Sequence, residues 1–149
     1  MSNLLKDPMV LRQVIMDHYQ YPRHHELSED SSYDEVHMAS ESCIDDIKVQ
    51  AKIKDGLIED VRFDGVACTI STASTSIMTE LLNKTEVRRA KLIIDNYFKM
   101  IENLPYDEEL LAEAIAFSNV YKQPNRIKCA TIGWKAILEL IEKSDKHEE

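Results

Sequence analysis

Strict alternation of apolar and polar positions marks one short stretch of this chain. Ile47, Val49, Ala51 and Ile53 alternate with Asp46, Lys48, Gln50 and Lys52, the period of a half-buried antiparallel strand. Asp55-Gly56 supplies a hairpin turn, and Leu57 to Phe63 returns as a second strand. Ahead of the hairpin, Val10, Leu11, Val14, Ile15 and His18 share one helical face, with Asp7 as cap before Pro8 and Pro22 closing the element. The polar stretch 26–42 reads as a loop with a short strand near Val36 to Met38. After Cys68 the period becomes helical. Ile70, Ala73, Ile77, Leu81 and Leu82 form one stripe, and Thr85 caps a second helix through Leu92, Ile93, Tyr97 and Ile101. A shorter helix is expected from about Asp107 to Phe117. The last begins after Pro124 and carries Ile127, Ala130, Trp134, Ile137, Leu138 and Ile141. Strands first and helices after predict an α+β fold, a small antiparallel sheet of about three strands packed with helices.

The 149 residues fit one domain, 1–149, with no Pro- or Gly-rich linker and no internal repeat; residues 142–149 are expected to fray as a tail. Eighteen basic against 27 acidic side chains give a formal charge of -9. That balance excludes a nonspecific nucleic-acid binder, which needs a concentrated basic face. No apolar run approaches a membrane span, and the start of the chain lacks the pattern of a secretory signal. Three cysteines, Cys43, Cys68 and Cys129, are too few and too scattered for a disulfide framework, which points to reduced thiols and a cytoplasmic location.

Those three thiols are the strongest chemical lead. Cys43 lies in the loop before the first clear strand, Cys68 follows the hairpin and precedes a helix, and Cys129 falls in the first turns of the last helix. Helix N-termini present unpaired amides and a dipole that favour negative charge, and Arg126 and Lys128 add cations near Cys129. A hairpin joins its own ends, so Cys43 and Cys68 fall at one sheet edge; if the last helix reaches that edge, Cys129 joins them and Asp45 supplies an oxygen. Three sulfurs and a carboxylate make the four ligands of tetrahedral zinc, and the same thiols suit iron in an iron–sulfur cluster. Three separately buried thiols acting as small hydrophobes are the competing reading, because none of the intervals is a CxxC.

Longer motifs surround each cysteine. Cys43-Ile44-Asp45, the run from Asp64 through Gly65, Val66, Ala67 and Cys68 to Ser74, and the run from Arg126 through Cys129 to Trp134 resemble the three cysteine motifs of the SufU/IscU iron–sulfur cluster assembly family, related to NifU. Asp17-His18-Tyr19 with Pro22-Arg23 is similar to the end of that family's first helix, and the resemblance runs from about Leu11 to Leu140. Lys128 stands where IscU-type members carry histidine, while Arg126 and the 61-position interval from Cys68 to Cys129 resemble the SufU branch. The resemblance implies an IscU/SufU-like fold with zinc held by Cys43, Asp45, Cys68 and Cys129, or iron or a transient cluster in its place. It implies that Cys43 accepts persulfide sulfur from a SufS-type cysteine desulfurase, whose histidine displaces Cys43 from the metal. Arg126 would give charge support. Downstream scaffolds or apoproteins would receive the sulfur or cluster. The other roles open to such a chain are a scaffold for a nascent cluster and a noncatalytic desulfurase-binding partner.

The chain departs from that pattern at Ile44 and Ala67, each standing where the family has glycine. Other polar residues read more plainly. His18 is expected as a packed helix-end residue, His24-His25 as a solvated loop, and the hydroxyl run Thr69 to Ser76 as capping and close packing rather than a phosphate site, since no Gly-rich loop or P-loop lysine accompanies it. Trp134, Met16, Met78 and Met100 are expected in the core.

Overall fold

The computed structural model describes residues 7–39 and 44–148, the side chains of 147 and 148 aside. Helix α1 (Pro8–Gln20) starts as its sequence dictates: the Asp7 side chain accepts from the Met9 amide at 2.9 Å, and Pro8 occupies the first turn. Strands β1 (Asp34–Ala39), β2 (Asp46–Lys54) and β3 (Leu57–Val66) pair antiparallel in that order. Val49 sits opposite Val36 on one side and Phe63 on the other. Ile47, Val49 and Ala51 of β2 are buried as the alternation predicts, while Gln50 on the other face is buried too, its amide bonded to Ser28 and Glu35. Asp55 and Gly56 both take positive φ, at 53° and 74°, as a two-residue hairpin of matching twist requires.

Helix α2 (Thr69–Leu82) follows β3, then a short strand β4 (Thr85–Glu86), helix α3 (Val87–Ile101), a single turn α4 (Glu108–Leu111), two 3-10 turns (Ala112–Phe117 and Val120–Lys122) and helix α5 (Pro124–Glu148). The helices lie against the sheet: α5 packs on β1 and β2, and α2 is wedged among α1, α5, β3 and the first 3-10 turn. This central place explains why α2 buries Ser71, Ser74, Thr75, Ser76 and Thr79, small side chains that admit close neighbours; all but Thr75 turn their hydroxyls onto backbone or facing groups. Ser74 donates to the Ala130 carbonyl at 2.6 Å, and Ser76 Oγ meets His18 Nδ1 at 2.7 Å.

Several expectations need correction. Among the described residues the sheet has four strands rather than about three, because Thr85 and Glu86 pair with Ile58 and Leu57. Thr85 is therefore not the cap of α3; Glu86 takes that position without a side-chain bond, and Thr85 Oγ1 donates to the Leu81 carbonyl at 3.2 Å. The strand near Val36 is six residues long. The helix expected from Asp107 to Phe117 divides at Ala112, whose φ of 45° and ψ of -123° cannot continue a helix. Helix α5 continues through the segment expected as a tail, where Asp145 pairs with Lys91 of α3. Met16 and Leu92 face solvent, at 40% and 49% exposure, while Met78 and Met100 are core.

Gly133 fixes how closely α5 approaches α2. A Cβ there would lie 2.4 Å from Thr75 Oγ1 and 2.8 Å from its Cγ2. Thr75 is fully buried and β-branched, so it has little room to yield. Alanine would gain about 1 kcal/mol of helix propensity but overpack the contact by roughly 1–3 kcal/mol. Gly133→Ala is thus expected to lower the denaturant midpoint with an unchanged slope; a raised midpoint would contradict this packing.

Candidate metal centre

Three chain segments meet at one end of the sheet. Asp45 immediately precedes β2, Cys68 is the N-cap of α2, and Cys129 lies in the second turn of α5. Their ligand atoms, one carboxylate oxygen and two sulfurs, all fall within 4.8 Å of one another. Asp45 and Cys129 are buried, at 2% and 3% exposure, and Cys68 is half-buried. Cys43, the fourth expected ligand, lies outside the described residues.

Local sequence accounts for the convergence. Pairing of Asp46 with Val66 brings Asp45 beside the strand end that leads into Cys68. Gly65 permits that approach: its φ is 135°, and a Cβ would stand 2.1 Å from the Asp46 carbonyl oxygen, a backbone atom that cannot rotate away. The Cys68 amide donates to Asp45 Oδ1 at 2.9 Å. Cys68 Sγ, acting as the cap, accepts from the Ser71 amide at 3.4 Å. Ser71, fully buried, also donates its hydroxyl to Asp45 Oδ2. The close α2–α5 packing then carries Cys129 to the same point.

Two thiols and a carboxylate are the donor chemistry of zinc and of iron–sulfur sites. A tetrahedral ion bound at about 2.3 Å spreads its sulfur ligands roughly 3.8 Å apart, so donors within 4.8 Å are within side-chain rotation of a shared ion. The residues therefore fit a resident metal.

Arg126 lies in the first turn of α5 and is exposed, with its amide donating to the Gln123 carbonyl at 2.8 Å. Ile44, beside Asp45, is 65% exposed, and Val66 on the facing strand is 67% exposed. The apolar replacement at position 44 thus projects to solvent, away from the buried carboxylate. His18 is not among the grouped donors. It is a buried helix-end residue, with burial and the charge of Arg23 pushing its pKa below the usual value against the opposing pull of Glu113. His25 meets Asp64 at 3.2 Å and His24 faces Glu80, both in the loop after α1.

Sequence reasoning did not single out Ser71: its hydroxyl donates to Asp45, 26 positions away, and no local spacing announces that pairing.

The family model described as the NifU-like N terminal domain matches residues 10–145. A zinc-dependent sulfurtransferase SufU of Bacillus subtilis is 36% identical over 135 residues, 90% of each chain. An iron–sulfur cluster assembly scaffold protein IscU of Streptococcus pyogenes is 35% identical over 133 residues, 88% of this chain and 82% of that one. Among solved structures, a candidate iron–sulfur cluster assembly scaffold protein for the SUF system from Fervidobacterium islandicum AW-1 superposes with a TM-score of 0.75 at 27% identity, covering 91% of this chain and 96% of that one. The family match over residues 10–145, a shared α+β architecture and this extent of similarity establish that the chain belongs to the NifU-like N-terminal domain family, among the SufU and IscU proteins.

Proposed function

We propose that this protein is a zinc-dependent acceptor of persulfide sulfur from a SufS-type cysteine desulfurase, with Cys43 as acceptor and Cys43, Asp45, Cys68 and Cys129 as metal ligands. The observation that carries the reading is the grouping of Asp45, Cys68 and Cys129 within 4.8 Å, in a chain 36% identical to a zinc-dependent sulfurtransferase. When bound, zinc keeps its coordinated thiols deprotonated at neutral pH and lends the site a fixed positive charge.

The chain's own residues do the rest. Asp45, Cys68 and Cys129 sit on elements that pack into the core, so they hold their positions whether or not Cys43 is engaged. The Cys43 thiolate attacks the outer sulfur of the desulfurase persulfide; a new sulfur–sulfur bond forms on Cys43, the old one breaks, and the desulfurase cysteine leaves as thiolate. No net oxidation occurs. Arg126 offsets part of the excess negative charge that three thiolates and a carboxylate bring to one divalent ion. The reaction belongs in the cytoplasm, with downstream scaffolds or apoproteins as recipients.

Desulfurase turnover tests this directly. The native chain is expected to stimulate sulfide or alanine production, and Cys43→Ala is expected to remove that stimulation while zinc binding weakens only in part. Absence of stimulation by the native chain would overturn the acceptor role. The IscU-named relative at 35% identity favours a second reading, a scaffold for a nascent cluster. A visible cluster spectrum that survives desalting after incubation with iron and sulfide would support that reading instead.

A further inference from the structure

The hydrogen bonds around Asp45 lead beyond the ligand set. Ser71 gives one proton to each of two grouped donors: its amide to Cys68 Sγ at 3.4 Å, and its hydroxyl to Asp45 Oδ2. Its Oγ also lies 3.4 Å from Cys68 Sγ, within reach of the thiol proton that a metal would displace. Ser71 and Asp45 are both buried, at 0% and 2% exposure, so water does not substitute freely for either bond. The Cys68 amide takes the other carboxylate oxygen, Oδ1, at 2.9 Å. Each oxygen of Asp45 therefore already accepts a proton from the α2 N-terminus, which sets the plane of the carboxylate before any ion arrives.

We propose that Ser71 is a positioning residue of the metal centre, acting through Asp45 to hold its carboxylate in a fixed orientation toward the two sulfurs. This rests on the zinc reading above. A carboxylate free to rotate must be ordered when an ion binds; one already held at both oxygens by fixed donors loses no such freedom, and each oxygen keeps a lone pair for the ion. Partners that orient a ligand in this way are worth about 10–100-fold in metal affinity.

Ser71→Ala removes the hydroxyl, and with it both the bond to Asp45 and the 3.4 Å contact with Cys68 Sγ, while the amide bond to Cys68 stays; the Asp45→Ala background separates the two. With the full chain and Zn2+ in competition with a chromophoric chelator, Ser71→Ala is expected to bind zinc about 10–100-fold more weakly than the native protein. In an Asp45→Ala background the same change is expected to have no further effect, because the bond through which Ser71 acts is gone. In the cobalt-substituted protein, the ligand-field bands are expected to shift in Ser71→Ala while the sulfur-to-metal charge-transfer intensity, which reports the cysteines, is retained. Equal zinc affinity in native and Ser71→Ala proteins would overturn the positioning role and leave the zinc reading intact. A fall in affinity of the same size in the Asp45→Ala background would also overturn it, as would an equal drop in the melting temperature of metal-free and zinc-loaded chains, since either result marks a purely structural serine. Failure of the native chain to take up zinc at all would overturn both readings, and that arm is measured separately.

Discussion

Cys129→Ala is expected to bind zinc roughly 100-fold more weakly than the native chain while the fold persists. Zinc in four-ligand protein sites binds with about 10–16 kcal/mol at neutral pH, so one sulfur ligand accounts for on the order of 3 kcal/mol, or roughly 100-fold in affinity. Cys129 is 3% exposed on α5, and its loss removes only one small buried atom group from a helix anchored elsewhere by Trp134, Ile137, Leu140 and Ile141. Zinc competition with a chromophoric chelator, paired with far-UV circular dichroism, separates the two effects. Unchanged zinc affinity in the variant would remove Cys129 from the ligand set. Cys68→Ala is a less clean test, because Cys68 also caps α2 and its removal costs helix stability as well as a ligand.

Trp134→Ala should be the most damaging core substitution. The indole stacks on Tyr97 with ring centroids 3.8 Å apart and planes 5° from parallel, and both residues are fully buried. Its Nε1 donates to Ser74 Oγ at 3.0 Å; Ser74 in turn donates to the Ala130 carbonyl, and Tyr97 Oη donates to that same carbonyl at 2.7 Å. Truncation therefore opens a cavity and removes the donor that Ser74 faces, for about 3–5 kcal/mol. In a chain of this size that is a fall of roughly 10 °C or more in melting temperature. Trp134→Phe, which keeps most of the ring volume, should lose much less. Thermal melts followed by circular dichroism are the suitable measurement, since Trp134 is the only tryptophan and its removal silences the fluorescence probe. A loss below 1 kcal/mol would mean that the stack contributes little to holding α3 against α5.

The sequence carried most of this architecture because its signals were local and periodic. The β2–β3 hairpin follows from alternation and from Asp55-Gly56, and α5 follows from one long apolar stripe. What escaped were features decided by tertiary contact. Strand β4 is two residues long and exists because Thr85 and Glu86 meet the start of β3, which no local pattern announces. The break at Ala112 is a backbone conformation disfavoured for alanine, so propensity argues against it. Met16 and Leu92 have apolar side chains at helical spacing but lie on the outer faces of α1 and α3. The candidate centre was legible to the same degree. Motifs around the cysteines brought out Asp45, Cys68 and Cys129, whose grouping the fold produces. The bond from Ser71 to Asp45 depends on residues 26 positions apart, and single-chain spacing does not reveal it.

The grouped donors come from distant points in the chain, and this gives a metal there a second effect. Asp45 and Cys68 are separated by 23 positions, and Cys68 and Cys129 by 61. An ion bridging them closes two loops at once, as a pair of cross-links would, and shrinks the unfolded ensemble by an amount that grows only slowly with loop length. Unlike a covalent link, it can be made and broken in a reducing compartment. The hairpin and the last helix would then be clasped or released according to metal supply, so the chain's resistance to proteolysis would track the metal status of its surroundings.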